Sequence, residues 1–231
     1  MRTIGLVGGM SWESSAEYYR LINQGIRERL GATASASCLL WSFNFADIEA
    51  LQHKGDWAGL TDCMINAAQR LEDAGADLLV ICTNTMHRTA PAIEATTGIP
   101  LLHIADPTAD RIKAAGFRTV GLLGTAFTME QDFYKGRLAD RHGLNVVIPD
   151  TDDRATVHRV IYDELVAGQV LAPSRDAYRA IIQRLVEKGA EAIILGCTEI
   201  MLLVGPDDSP VPIFDTTALH AQAAIDIALA D

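Results

Sequence analysis

The chain has 231 residues, enough for one large α/β domain or two small ones. Hydrophobic residues make up 49% of it and aromatic residues 6%, which fits a packed globular enzyme rather than a disordered or fibrous chain. The net charge of −11 leaves no basic stripe to neutralise phosphates, so the composition argues against a nucleic-acid partner.

The cysteines and the apolar runs predict a cytoplasmic protein with no membrane partner. The four cysteines form no C-x-x-C pair and no metal-ligand spacing, which indicates a reducing compartment without disulfides. The apolar run at residues 4–7 is too short for a signal peptide, and Glu13 follows it closely. No apolar run approaches the roughly 20 residues that a membrane-spanning helix needs.

Short aliphatic runs alternate with helical patterns along the chain. Strands are predicted at residues 3–7, 38–43, 78–82, 119–123, 145–148, 192–195 and 213–214. Apolar residues at helical spacing predict helices over residues 12–30, 152–167, 174–188 and 216–230. Strands separated by helices of this length are typical of parallel sheets covered on both faces, so the fold class is predicted to be α/β.

A segment of the first half of the chain recurs in the second half without a gap. Residues 69–85 read QRLEDAGADLLVICTNT, and residues 183–199 read QRLVEKGAEAIILGCTE. A second echo relates TIGLVGG at residues 3–9 to TVGLLGT at residues 119–125. The two echoes indicate that the halves share one architecture.

Two related halves predict two pseudo-symmetric lobes, each a parallel sheet flanked by helices. The echoes divide the chain near Pro100 and near Pro206. The first lobe is expected to comprise residues 1–100 plus 206–231, and the second lobe residues 101–205. Because each half has a strand with a polar tip, we expect the site in the cleft between the lobes.

Four strand tips are rich in glycine or small hydroxyl side chains. They lie at residues 8–11, 82–85, 124–125 and 196–199. Ligands bind beyond the carboxyl ends of parallel strands, and small residues let them approach the backbone amides. Tight turns alone would also favour small residues, but four such tips together favour a binding site. The first tip lacks the G-x-G-x-x-G pattern, so a dinucleotide site is not indicated.

Cys197 is the leading candidate for a reactive group. It lies between Gly196 and Thr198, after an aliphatic strand and before a predicted helix, a position that favours a lowered thiol pKa. The alternative is that it is a small buried hydrophobe. Its counterpart in the repeat is Thr83 rather than Cys82, and adjacent residues at a strand end point to opposite sides. We therefore predict that Thr83 and Cys197 face the cleft and that Cys82 does not.

Two further side chains accompany these tips. His87 would either assist a proton transfer or be a satisfied histidine at a helix start. Glu199 would hold an ammonium group, orient Cys197, or simply lie in a first helical turn where the dipole favours a carboxylate. No cofactor is expected, and pyridoxal phosphate is not indicated because no lysine occupies a strand tip.

The chain resembles the cofactor-independent aspartate/glutamate racemase family over essentially its whole length. The motifs that carry the resemblance are GGMSW at residues 8–12, NTMH at residues 84–87 and GCTEI at residues 196–200. Most aspartate racemases have a cysteine before the Asn-Thr pair, whereas this chain has Thr83 there. That departure resembles a branch of amino-acid racemases with a threonine in the first acid/base position. Thr198-Glu199 is unlike the Thr-His of cell-wall glutamate racemases.

The resemblance implies a racemase that works by two-base α-proton transfer. Cys197 would act as the base and Thr83 as the proton donor, on L-aspartate, L-glutamate or a similar L-amino acid. Members of the family are commonly homodimers. The resemblance also implies these substrate contacts: Met10, Gln52, Thr83, Asn84, Thr85, Thr198 and Glu199.

Other interpretations stay open at this point. The chain could be another enzyme of the same superfamily, such as a hydantoin racemase, a maleate isomerase or an arylmalonate decarboxylase, which differ in the distal pocket. It could instead be a two-lobed ligand-binding protein without turnover. A cysteine hydrolase is disfavoured, because the sequence shows no convincing histidine and aspartate partners for Cys197.

Overall fold

The computed structural model describes residues 1–230 and contains two four-stranded sheets in which every strand pairing is parallel. The strands are β1 (Ile4–Gly8), β2 (Cys38–Ser42), β3 (Leu78–Ile81), β4 (Leu101–Leu102), β5 (Thr119–Gly124), β6 (Asn145–Val147), β7 (Ala192–Gly196) and β8 (Ile213–Asp215). The strand orders are β2-β1-β3-β4 and β6-β5-β7-β8. Two parallel sheets flanked by helices confirm the predicted α/β class.

Helices occupy most of the chain between the strands. They are α1 (Trp12–Leu30), α2 (Phe45–Lys54), α3 (Trp57–Asp73), α4 (Ala90–Glu94), α5 (Ala105–Ala114), α6 (Ala126–Glu130), α7 (Asp132–His142), α8 (Thr151–Val160), α9 (Ala172–Glu187), α10 (Ile200–Leu203) and α11 (Thr216–Leu229). A 3₁₀ turn, Thr85–Thr89, precedes α4, and a π-helical turn, Ile161–Leu165, continues α8. Over residues 1–230, no helix has both the length and the hydropathy to cross a membrane.

Alternate side chains of β3 lie in two separate apolar clusters. Leu78 and Val80 pack with residues of α1 and α11, whereas Leu79 and Ile81 pack with residues of α2 and α3. A parallel sheet that is covered on both faces requires such continuous burial. Cys82 continues the first series and is 1% exposed in the same cluster as Leu78. This thiol is therefore a core side chain.

The repeat in the sequence is reproduced in the pairing of the central strands. In the first sheet Val7 lies opposite Ile81, and in the second sheet Leu123 lies opposite Leu195. Val7 and Leu123 are related by the offset of the shorter echo, and Ile81 and Leu195 by the offset of the longer one. The two halves of the chain therefore share their strand register as well as their strand order.

The chain divides into two compact units, at boundaries that both lie later than expected. The first unit comprises Met1–His103 and the C-terminal segment from His220, and the second comprises Ile104–Leu219. The two-residue strand β4 pairs with β3, so the first unit continues past Pro100. Strand β8 pairs with β7, so residues 206–219 belong to the second unit rather than the first. A strand as short as β4 leaves no apolar pattern that a sequence analysis can recognise.

The turn after β1 accepts only glycine at position 9. Gly9 has a φ of +83°, a conformation that L side chains rarely adopt. A Cβ atom on Gly9 would overlap the backbone nitrogen and oxygen of Phe43. The Phe43 amide also donates a hydrogen bond of 3.0 Å to the Gly8 carbonyl, so the tips of β1 and β2 are closely packed.

We predict that Gly9→Ala destabilises the fold more than Gly75→Ala does. Gly75 follows α3 with a φ of +94°, and nothing lies within 4 Å of a Cβ added there. Gly75→Ala should therefore lower the free energy of unfolding by about 1–2 kcal/mol from backbone strain alone. Gly9→Ala should cost about 1–3 kcal/mol more, because overpacking adds to the strain. Urea denaturation measures both values, and equal losses would contradict the close packing around Gly9.

Candidate functional site

The first candidate half-site lies beyond the ends of β1 and β3, in the first unit. Thr83 is the second residue after the end of β3 and is half-buried. Asn84 and Thr85 follow it and are 3% and 5% exposed. We call Thr83, Asn84, Thr85, Met10 and Gln52 the Thr83 half-site, because the family resemblance implies that all five contact substrate and all lie in this unit.

Serine hydroxyls in the first turn of α1 hold the tips of β1 and β3. The Ser14 hydroxyl donates to the Cys82 carbonyl at 2.9 Å, and Ser15 Oγ accepts from the Gly9 amide at 2.8 Å. Both serines are 3% exposed. One hydroxyl acts as a donor and the other as an acceptor, and together they satisfy these backbone groups where the ladder ends. Neither serine belongs to a pattern that marks it in the sequence as a partner of these backbone groups.

Met10 and Gln52, the other two members of the Thr83 half-site, are also buried. Met10 is 7% exposed and belongs to the same apolar cluster as Ile48 and Met86. Gln52, on α2, is 5% exposed, and its Nε2 donates to the sulfur of Met86 at 3.5 Å. A buried amide among apolar side chains needs such a partner, since an unpaired polar group there is costly. The contact with Met86 thereby orients the Gln52 side chain.

His87 contacts the backbone of Thr83. Its side chain is 1% exposed, and its Nδ1 is 2.8 Å from the Thr83 carbonyl oxygen. Its ring centroid lies 4.6 Å from that of His103 and 5.6 Å from that of His220. The observed contact agrees with the interpretation of His87 as a satisfied histidine at a helical start. The other two histidines come from distant segments, and no spacing in the sequence relates them to His87.

The second candidate half-site lies beyond the end of β7, in the second unit. Cys197 follows Gly196 directly and is half-buried, while Thr198 and Glu199 are 9% and 7% exposed. The Cys197 thiol donates to Glu199 Oε2 at 2.9 Å, and the Thr198 hydroxyl donates to the same oxygen at 2.7 Å. We call these three residues the Cys197 half-site. Of the roles considered for Glu199, the geometry supports orienting the thiol.

Glycine is required where β5 and β7 end. Gly124 lies opposite Gly196 in the ladder. A Cβ on Gly124 would lie 2.9 Å from the Gly196 carbonyl oxygen, and a Cβ on Gly196 would lie 2.9 Å from the Leu123 carbonyl oxygen. The cysteine of this tip therefore has to come one residue after Gly196. The counterpart of Gly196 in the first unit is Cys82, whose side chain lies in the apolar core.

The prediction of a lowered pKa for Cys197 is wrong. Burial raises the pKa of this thiol well above its ordinary value, and the negative charge and hydrogen bond of Glu199 raise it further. The backbone amide of Glu199 acts in the opposite direction but does not outweigh these effects. The helix that follows, α10, has only four residues, so its dipole is small. Cys197 is consequently a thiol held beside a carboxylate.

The two half-sites offer hydroxyl groups, amides, a thiol and a carboxylate. Over residues 1–230, no group of three or more His, Cys, Asp or Glu side chains is arranged to hold a metal ion. The predicted contact residues fall into two sets, five in the first unit and two in the second beside Cys197. What the sequence did not reveal is that Ser14, Ser15 and His87 hydrogen-bond to the backbone at the strand tips of the first unit.

Comparison with known proteins identifies the family. The profile of the family described as Asp/Glu/Hydantoin racemase matches residues 7–224. A crystal structure from Yersinia pestis, provisionally assigned as an Asp/Glu racemase, is 54% identical, covers 100% of both chains and has a TM-score of 0.94. That of an aspartate racemase homologue from Pyrococcus horikoshii is 33% identical over 100% of both chains, with a TM-score of 0.85. The broad specificity amino-acid racemase RacX of Bacillus subtilis is 26% identical over 170 residues, 72% of this chain and 71% of the relative. The chain therefore belongs to the Asp/Glu/hydantoin racemase family, a family of isomerases.

Proposed function

We propose that the protein is a cofactor-independent amino-acid racemase that acts on L-aspartate, L-glutamate or a similar L-amino acid. In this proposal Cys197 removes the α-proton from the L-enantiomer, and Thr83 delivers a proton to the opposite face of the resulting carbanion. Racemisation needs one group on each face of the α-carbon, because the proton leaves one side and arrives on the other. A general acid or base that is correctly placed contributes about 10²–10⁴-fold in rate.

The observation that carries the proposal is the equivalence of Thr83 and Cys197 in their own sheets. Ile81 and Leu195 occupy the same rung of the two central ladders, and each is followed two residues later by one of the proposed acid/base residues. A repeated fold that offers one proton-transferring side chain at each equivalent tip supports two-base chemistry. Both side chains are half-buried, so each keeps part of its surface accessible.

On the Cys197 side, Glu199 is proposed to accept the thiol proton before the α-proton is removed. The thiol already donates to Glu199 Oε2 at 2.9 Å, so the transfer occurs along an existing hydrogen bond. During this transfer the pair keeps a single negative charge, which moves from the carboxylate to the sulfur. The transfer is uphill, because burial and the carboxylate raise the thiol pKa, but the charge stays within the hydrogen-bonded pair. The thiolate then takes the α-proton and becomes a thiol again, and the negative charge passes to the carbanion. After Thr83 has protonated the carbanion, Glu199 returns its proton to the solvent and Thr83 takes one from water, which restores the starting state.

On the Thr83 side, a hydroxyl group suits proton delivery better than proton removal. A threonine hydroxyl is a far weaker base than a thiolate, but it can donate to a carbanion or relay a proton from water. Turnover of the L-enantiomer should therefore be kinetically favoured. The equilibrium constant between enantiomers is one, so kcat/KM must be the same in both directions. The asymmetry has to appear as compensating changes in kcat and KM for the D-enantiomer.

Substrate binding is proposed to rely on neutral polar groups. Asn84 and Thr85 provide an amide and a hydroxyl group next to Thr83, and Met10 and Gln52 complete the contacts in the first unit. Fixed donors of this kind also stabilise the charge that develops on the α-carboxylate as the carbanion forms. The Thr198 hydroxyl already donates to Glu199, so its proposed contact with substrate is as an acceptor from the ammonium group. No cofactor is included in the mechanism. A cytoplasmic homodimer remains our expectation for the assembly.

The rival activities are separated by one assay in D₂O. We would incubate the protein with L- and D-amino acids, a hydantoin and maleate, and follow the α-proton by NMR and the enantiomers by chiral chromatography. Exchange and inversion of amino acids support the racemase. Turnover of only the hydantoin or maleate would assign another activity of the superfamily, and binding without exchange would indicate a protein without turnover.

We predict that Cys197→Ala slows α-proton exchange by about 10²–10⁴-fold, because the base is removed. The matched control is Cys82→Ala, which removes a thiol from the apolar core of the first unit. That variant should lower the free energy of unfolding by leaving a small cavity, but should exchange the α-proton like the parent protein. The assignment fails if Cys197→Ala retains substantial exchange, or if the two variants lose it equally.

We predict that Glu199→Gln lowers the thiol pKa of Cys197 and yet slows turnover. The carboxylate disfavours the thiolate through its charge and its hydrogen bond, so its removal shifts the titration toward lower pH, although burial still holds the pKa up. The rate of alkylation of Cys197 by iodoacetamide, followed against pH by mass spectrometry of its peptide, reports this shift. Faster α-proton exchange in Glu199→Gln would contradict the role of Glu199 as the proton acceptor.

A further inference from the structure

Three buried histidines lie beside Thr83 in the first unit. His87, His103 and His220 are 1%, 3% and 0% exposed, and we call them the histidine cluster. The ring of His87 lies 4.6 Å from that of His103 and meets that of His220 edge-on at 5.6 Å. Burying imidazoles is costly unless their nitrogens have hydrogen-bond partners, so the contacts of this cluster need an explanation.

His220 is fixed through both of its ring nitrogens. Its Nε2 lies 2.9 Å from the Leu102 carbonyl oxygen, and its Nδ1 lies 2.8 Å from the Tyr18 hydroxyl. A carbonyl oxygen only accepts, so Nε2 carries a proton and donates to it. His220 is therefore held on two sides, which makes it a rigid surface for His87 to pack against.

The same reasoning assigns the proton on His87. Its Nδ1 lies 2.8 Å from the Thr83 carbonyl oxygen, so Nδ1 donates this hydrogen bond. The ring is confined by His103 and His220, and the donor therefore has a defined direction. The preceding carbonyl, that of Cys82, accepts from the Ser14 hydroxyl at 2.9 Å. Two successive carbonyls at the end of β3 are thus bound by buried side chains.

In the Cys197 half-site, a backbone amide rather than a side chain binds the corresponding carbonyl. There the Cys197 carbonyl accepts a hydrogen bond of 3.2 Å from the backbone amide of Ile200. In the register of the repeat, the counterpart of His87 is Met201, which cannot donate a hydrogen bond. A side-chain donor for the carbonyl of the proposed acid/base residue is therefore a property of the first unit and not of the repeated fold.

From this contrast we infer that His87 is a positioning residue that aims the Thr83 hydroxyl through the Thr83 carbonyl. The inference rests on the proposed racemase function, in which Thr83 delivers a proton. The carbonyl and the side chain share one Cα, so a rotation of the peptide group displaces the hydroxyl. A displacement near 1 Å at a reacting group costs roughly 10²-fold in rate. A second layer of fixed side chains prevents such displacements at a functional group.

The test compares His87→Leu, His87→Asn and Tyr18→Phe. Leucine removes the donor, whereas an asparagine side-chain amide places an N–H at the same number of bonds from Cα as Nδ1. Tyr18→Phe is the matched control, because it disturbs the histidine cluster through His220 without touching the Thr83 carbonyl. For each variant we would measure the melting temperature, the inversion rate from the L-enantiomer, and deuterium entry into the unconverted L-enantiomer in D₂O.

We expect His87→Leu to invert the L-enantiomer at least about tenfold more slowly, with deuterium entry on the Cys197 side reduced less. His87→Asn should recover most of the inversion rate, and Tyr18→Phe should lower only the melting temperature. A role confined to folding would lower inversion and deuterium entry together in proportion to the folded fraction. Equal inversion in the Leu and Asn variants, or equal slowing in Tyr18→Phe and His87→Leu, would overturn the inference.

The inference can also fail separately from the racemase proposal. Imidazole ¹H–¹⁵N correlation NMR of the parent protein reports which nitrogen of His87 carries the proton, whether or not any amino acid is turned over. Protonation at Nδ1 is expected. A His87 protonated only at Nε2 would remove the contact on which the inference stands, whereas a parent protein without inversion or exchange would remove the proposed function instead.

Discussion

The register of the central strand pair in each sheet constrains everything that follows in the proposed site. Val7 opposite Ile81 and Leu123 opposite Leu195 are equivalent rungs, and beyond them the backbone leaves the ladder. The peptide groups past that rung have lost their strand partners and must find others. The residues that provide these partners determine where Thr83 and Cys197 are held. Burial of both faces of each sheet keeps the register from slipping.

The two tips share a backbone plan and differ in chemistry. The Thr83 tip is bound by Ser14 and His87 at consecutive carbonyls, so its side chain is aimed by contacts made to the main chain. In the Cys197 tip the proposed reactive atom itself is bound, because the thiol donates to Glu199. A hydroxyl that delivers a proton needs a direction, whereas a thiol with a raised pKa needs an acceptor for its proton. Each tip has the contact that its proposed task requires.

Much of this arrangement could be predicted from the sequence, because it is recorded in local patterns. The repeat, the strand runs and the three motifs identified the α/β class, the family and the tips that carry Thr83 and Cys197. The short strand β4 could not be predicted, since two residues carry no periodicity. The boundary near residue 206 moved for another reason. The strand at residues 213–214 was predicted, but only its pairing with β7 assigns residues 206–219 to the second unit.

The thiol pKa of Cys197 and the contacts among the three buried histidines also could not be predicted from the sequence. Cys197 has the neighbours that usually lower a thiol pKa, but burial and Glu199 together outweigh them, and neither effect can be judged before the fold is known. His103 and His220 reach His87 from remote parts of the chain. Side-chain contacts between distant segments follow from packing and leave no spacing to detect.

The central claim is that two different groups transfer the proton, one on each face of the α-carbon. The most direct test is the isotopic content of the first D-amino acid formed when an L-substrate is turned over in D₂O. If two groups act, the D-product carries deuterium at the α-carbon from the earliest times, because the hydroxyl that delivers the new hydrogen has exchanged with D₂O. A D-product that retains the original hydrogen would mean that one group serves both faces, and would contradict the account.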